Sequence, residues 1–225
     1  MIRNHDRKFK IGMHSYTLHL SGFGESWGFQ EYGEHHAFEQ VATFKDLVDI
    51  AVEVGLDVLH ITLVDIQNDT SDAHLAECRK IAEEAGIELE LNVSFNAPSD
   101  PRVNCDVENS LHIARKLGCN LVKYSTDVEH PEKSSHSCLA PSVMKQLVEI
   151  YGQFEKNLPL IEKYGMKIAI ENHCDLFADE VIWLVKQLNH PLVGACCDTI
   201  NSLMVMEGIA ECVRKMAPYC YCVHF

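Results

Sequence analysis

Basic side chains are scarce in this sequence: 19 Lys and Arg stand against 33 Asp and Glu, a formal net charge of −14. Phosphate binding rests on clustered Lys and Arg, and no basic run occurs, which argues against nucleic acid as a partner. Long apolar runs are missing too. None approaches the roughly 20 residues that span a bilayer, so no membrane association is expected. The start, Met1-Ile-Arg-Asn-His-Asp-Arg-Lys, has no apolar signal core. Nor is there a phosphate loop after the first strand candidate, since Gly22-Phe-Gly24-Glu-Ser-Trp-Gly28 is bulky and opens no helix. The ten cysteines include no CxxC pair. Cys196, Cys197, Cys220 and Cys222 lie inside apolar runs, where a reduced Cys behaves as a small buried hydrophobe, so a disulfide framework is the weaker reading and a cytoplasmic setting the expected one.

What is present is an ordinary globular content of apolar residues, 47% of 225. One run stands out: Met166-Lys-Ile-Ala-Ile-Glu171-Asn172-His173, which is apolar and then abruptly polar. A strand buried on both faces reads as a continuous apolar run, so polar groups at its C-terminal end mark the mouth of a parallel sheet. Two later runs end alike, at Asp198-Thr-Ile-Asn201 and at Val223-His224-Phe225. Glu171, Asp198 and His224 together make an oxygen and nitrogen set suited to Mn²⁺, with Mg²⁺, Co²⁺ and Zn²⁺ as alternatives. Singly, each is more often a hydrogen-bonded residue than a ligand; on consecutive strands the balance turns over.

The rest of the chain alternates. Strand patterns run from Phe9 to His19, Asp57 to Asp65, Ile87 to Ser94 and Asn120 to Ser125, with helix periods between, and Gly55, Gly86, Gly118 and Gly165 each stop a helix just before a strand. The segment Pro141 to Gly165 reads as one longer helical region. Seven strands and six helices in alternation predict an α/β protein with a parallel sheet. A doubly wound sheet is the alternative, but ligands at several strand ends favour a (β/α)₈ TIM barrel. A single barrel domain over 1–225 is expected, incomplete at its C-terminus because the pattern stops with the seventh strand. Other candidates for substrate contact are His14, Asn92 and Tyr124 on early strands, His173 and Asn201 beside the ligands, and Trp27 in the Gly- and aromatic-rich loop Ser21 to His36. Each has a plainer reading as a core residue or cap, and His60, inside an apolar run, is expected to be a satisfied core residue. His130 and His136 lie on the loop Asp127 to Ala140, either solvated or poised as catalytic base or acid.

The motifs Ile-Ala-Ile-Glu171-Asn-His, Cys-Asp198-Thr-Ile-Asn201 and Val-His224-Phe resemble successive strand ends of the sugar phosphate isomerase/epimerase superfamily, the barrels similar to xylose isomerase. The resemblance covers almost the whole chain in the order of its elements. It implies a metal on Glu171, Asp198 and His224, with a fourth ligand beyond Phe225. The opening Gly12-Met-His14-Ser-Tyr-Thr-Leu-His19 through Trp27-Gly-Phe resembles the large subunit of bacterial C-glycoside deglycosidases. That implies a lyase cleaving the C–C bond of 3-oxo-C-glucosides by β-elimination, with a sugar or glycoside substrate, a small partner subunit and an oligomeric assembly. Glu171 and one of His130 and His136 would be catalytic. The alternative is a ketose 3-epimerase or sugar phosphate isomerase using the same site, although Asn172-His173-Cys174-Asp175 departs from the epimerases' Asn-Arg. An endonuclease IV-like nuclease would need more His ligands and a basic face, and a scaffold without catalysis is a third reading.

Overall fold

The computed structural model describes residues 9–21, 23–24, 41–98, 100–129 and 138–225, and residues 27–29 and 34–36 as strand backbone. Seven strands form one sheet: β1 (Gly12–His14), β4 (Val58–Ile61), β5 (Glu88–Ser94), β6 (Leu121–Ser125), β7 (Lys167–Glu171), β8 (Val193–Asp198) and β9 (Cys220–His224). A separate antiparallel pair, β2 (Trp27–Phe29) with β3 (Glu34–His36), lies in the loop after β1.

Every pairing in the large sheet is parallel, and the order across the sheet is the order along the chain. A doubly wound sheet reverses direction at a switch point, whereas this one winds a single way, as a barrel wall does. The wall curls until its first and last strands approach: the rings of His14 on β1 and His224 on β9 are 5.8 Å apart. The fold is therefore the α/β TIM barrel type, represented by seven strands.

The helices follow from caps and spacing. In α1 (Phe44–Val54) the Thr43 side chain caps the N-terminus, Asp46 answers it, and Phe44, Leu47, Val48 and Ala51 line the buried stripe at helical spacing. Phe44, Leu47 and Val48 each contribute about 1.5–3 kcal/mol when taken from water. Ser71 caps α2 (Asp72–Ala85) and Asp106 caps α3 (Val107–Leu117). The stops at Gly55, Gly86, Gly118 and Gly165 all have positive φ, the left-handed turn that glycine takes without strain.

Three expectations change. The strand predicted from Phe9 to His19 is only Gly12–His14, because the chain turns at once into a 3-10 helix over Ser15–Ser21. The strand predicted to Asp65 ends at Ile61. The single helix over Pro141 to Gly165 is two, α4 (Pro141–Glu155) and α5 (Leu158–Tyr164), since Pro159 has no N–H to continue the first and fits the first turn of the second. The last helices are α6 (Ala178–Leu188) and α7 (Ile209–Met216).

The main core lies between sheet and helices, where one face of each strand meets residues such as Leu47, Leu75, Leu111, Phe154 and Val181. Inside the wall, among the described residues, Leu121, Ala169 and Cys196, with Cys222 beside them, make a second apolar cluster. Above that layer the inner face is polar.

Candidate functional site

Side chains alternate faces along a strand, so in β6 Lys123 and Ser125 share one face and Tyr124 takes the other. That alternation decides the site. Glu171 ends β7, Asp198 ends β8 and His224 ends β9, with Asp198 and His224 register partners. Glu171, Asp198 and His224 each offer a ligand atom, and the three atoms lie within 4.8 Å of one another.

Glu171 is buried and doubly held. Its Oε1 is 2.9 Å from Nδ1 of His224, and its Oε2 accepts from the Lys123 ammonium and, at 3.2 Å, from the Ser125 hydroxyl. Burial alone would raise the Glu171 carboxyl; the Lys123 charge and the hydrogen bond with His224 more than offset that and hold it well below the usual carboxylate range. Lys123 also donates to Ser125 Oγ at 3.0 Å. Asp198 is fixed by the chain around it: its Oδ1 accepts the N–H groups of Ile200 and Asn201, both at 2.9 Å. Its own backbone N–H and C=O bond the amide of Asn172 at 2.8 and 2.9 Å.

Across the mouth, His14 Nε2 meets Asn92 Nδ2 at 2.9 Å, and the rings of His14 and His60 are 5.0 Å apart. Burial keeps both imidazoles well below their ordinary pKa, so they are neutral. His173 is half-buried, 3.4 Å from Asp127 Oδ1. Burial opposes a charge on that ring, but the Asp127 and Glu171 carboxylates prevail and raise it to about 9. Asp127 holds a positive φ of 49°, a strained conformation for a non-glycine residue, at the point where the chain leaves β6 beside the site.

The donor set fits a divalent cation. Two carboxylates and an imidazole supply oxygen and nitrogen ligands of the right hardness, and His224 Nε2 is buried with no hydrogen-bond partner, the mark of a polar atom whose ligand is something other than protein.

Of the other residues expected at the site, His14, Asn92 and His173 sit around this cluster, and Asn201 serves through its backbone N–H on Asp198. Tyr124 does not reach it. It is fully buried on the helix side of β6, bonded to Ser110 Oγ at 2.6 Å and packed edge-on against Phe154. His60, expected to be a satisfied core residue, instead faces inward, 3.4 Å from Glu90 Oε2, with its Nε2 unpartnered. His130 and His136 lie outside the described residues, and of Trp27 only its place in β2 is described. The residue not anticipated is Lys123. Its signal was a lone lysine in an apolar five-residue strand, where a buried charge requires a partner.

The family description "xylose isomerase-like TIM barrel" matches residues 48–225. Among solved structures, a D-psicose 3-epimerase in the presence of D-fructose superposes with a TM-score of 0.66 at 18% identity, over 96% of this chain and 72% of that one. A D-psicose 3-epimerase with D-tagatose from Clostridium cellulolyticum gives 0.65 at 18% identity, over 96% and 72%. The probable 3-DHS dehydratase AsbF from Bacillus anthracis gives 0.65 at 13% identity, over 96% and 73%. No curated protein sequence matches. No helix among the described residues is long and apolar enough to cross a membrane. With most of its length matched by that description, the chain belongs to the xylose isomerase-like TIM barrel family.

Proposed function

We propose that this protein is a divalent-metal-dependent ketose epimerase or sugar isomerase that moves a proton on the carbon next to a carbonyl. The observation that carries the reading is the convergence of Glu171, Asp198 and His224 from consecutive strand ends, with Lys123 braced against Glu171. The likeness to the two D-psicose 3-epimerase structures is in keeping with it.

A cation on Glu171, Asp198 and His224 would supply Lewis acidity to two adjacent sugar oxygens, which makes the neighbouring C–H acidic. The chain's own residues do the rest. Lys123 and Ser125 fix the Glu171 carboxylate by its Oε2, which keeps it ionised and oriented as a ligand. Neutral His14, held by Asn92, and neutral His60 line the opposite wall and can donate to or accept from sugar hydroxyls. On the two faces of the sugar one side chain then takes the proton and another returns one, with His130 and His136 as candidates for the base and His173, held protonated by Asp127 and Glu171, as a donor.

A second reading, cleavage of a 3-oxo-C-glucoside with a small partner subunit, has one observation in its favour: His173, paired with Asp127, stands where the epimerases carry Arg after the strand-end Glu-Asn. The same acidified proton would then lead to loss of the aglycone. One experiment separates the two. Purified protein with Mn²⁺, Mg²⁺ or Co²⁺, and with a chelator, is offered fructose, a 3-oxo-C-glucoside and the unoxidised C-glucoside in deuterated water. Metal-dependent deuterium at C3 of the ketose with epimer formation supports the proposal; aglycone release without ketose exchange transfers the case to the second reading. No exchange and no release with any of the ions would sink both.

A further inference from the structure

One layer below the mouth, the inner face of the wall carries two thiols that the proposed reaction does not use. Cys196 on β8 and Cys222 on β9 are register partners. Alternation puts Cys196 on the same face as Asp198, and Cys222 on the same face as His224. Both pack against Leu121 and Ala169, the small apolar cluster inside the wall. The ligand atoms of Cys196, Cys222 and His224 lie within 4.8 Å of one another. None of the ten cysteines is in a disulfide.

We infer that Cys196, Cys222 and His224 form a second cation site, for a soft divalent ion of the Zn²⁺ or Cd²⁺ class, beneath the oxygen-rich set and sharing His224 with it. Three arguments converge. The ligands are the right kind: two sulfurs and an imidazole select a soft ion, whereas Mn²⁺ and Mg²⁺ prefer the carboxylates above. The geometry is close to binding. Tetrahedral metal–sulfur bonds of about 2.3 Å put two sulfurs about 3.8 Å apart, so the three atoms need contract by no more than about 1 Å. The charge also balances. Each thiol gives up its proton on binding, and two thiolates cancel the dication, leaving a neutral unit in an apolar layer where a bare ion would be costly.

His224 Nε2 is buried with no hydrogen-bond partner while Nδ1 meets Glu171, and as it is the nitrogen both sets would use, a soft ion on the thiols would compete with the cation above for it. The fourth position of such a three-ligand site would be open to water from the mouth.

The test is a Cd²⁺ titration of the full chain under reducing conditions, followed by the ultraviolet thiolate-to-cadmium charge-transfer band. The band should grow to one ion per chain, should survive excess Mg²⁺, and should be lost on Cys196→Ser and on Cys222→Ser. It should persist in Glu171→Gln, which dismantles the oxygen set but leaves both thiols, so failure of the proposed sugar chemistry would leave this site standing. X-ray absorption at the cadmium edge of the unmutated chain covers the case of a variant that does not fold, and should count two sulfur neighbours. A shell of oxygen and nitrogen alone, or a band of undiminished strength in the doubly substituted Cys196→Ser/Cys222→Ser chain, overturns the inference.

Discussion

His224 Nδ1 stands 2.9 Å from Glu171 Oε1, joining the ends of β9 and β7 over the intervening strand β8. The same carboxylate is the counter-charge of buried Lys123 through its other oxygen. Removing that charge breaks the buried ion pair on the Lys123 ammonium, a loss of about 3–5 kcal/mol. Glu171→Gln should therefore lower stability by that order in the metal-free protein, and Glu171→Gln/Lys123→Met should recover part of it. Urea unfolding in the presence of a chelator reads both. A double variant no more stable than the single one would show that the pair is not the source of the loss.

The cation itself should stabilise the chain. Binding at about a hundred times Kd contributes about 2.7 kcal/mol. A Mn²⁺-dependent rise in Tm is expected in the native chain and should vanish in Asp198→Asn, which keeps the acceptor for Ile200 and Asn201 but gives up the negative ligand. An unchanged rise in that variant would remove Asp198 from the ligand set.

Tyr124 offers a clean test of the assignment it lost. Tyr124→Phe removes the 2.6 Å bond to Ser110 Oγ, which keeps its bond to the Val107 carbonyl, and should cost about 0.5–1.5 kcal/mol. Because the phenol is on the helix side of the wall, KM and kcat should not move. A raised KM with unchanged stability would return Tyr124 to the site.

Asp65 should impose an unusual pH dependence. Burial pushes its carboxyl up to about 6, although Ser15 and Thr62 donate to it. Unfolded, it titrates near 3.9. The folded state thus holds the proton longer, so the Asp65 contribution is full below about pH 4 and is lost as pH rises through about 6, a swing of about 3 kcal/mol. Asp65→Asn should gain on the native chain by up to that amount across the window. A stability difference that stays flat with pH would contradict the shift.

Close approach of backbones at Gly194 leads to another expectation. A Cβ there would lie 2.6 Å from the carbonyl oxygen of Tyr219 and 2.8 Å from the Tyr221 ring. Gly194→Ala must push β8 from the end of β9, and a loss of roughly 1–3 kcal/mol is expected from overpacking. Thermal unfolding measures it; an unchanged midpoint would mean that the two strands part freely.

Much of this was readable beforehand, for definite reasons. Gly55, Gly86, Gly118 and Gly165 mark helix ends because the left-handed turn requires them, and Glu171, Asp198 and His224 stood out because they interrupt apolar runs. The facing of the earlier strands was not readable. In a strand buried on both sides hydropathy carries no alternation, so nothing in the sequence tells that Tyr124 faces the helices and His60 the interior. Lys123 could have settled the facing of β6, since a buried lysine must point to an acid and Glu171 was already in view. The 3-10 turn after His14 and the hairpin of β2 and β3 left no periodic trace in so short a span.

Lys123 and Tyr124 follow one another in the chain yet serve opposite sides of the wall. Slipping β6 by a single residue would exchange them, driving an ammonium in among Phe95 and Phe154 and setting a phenol against the Glu171 carboxylate. Neither face could tolerate that exchange. The charged lining of the cavity therefore also acts as a ruler during assembly, rejecting misaligned pairings that purely apolar strands would accept.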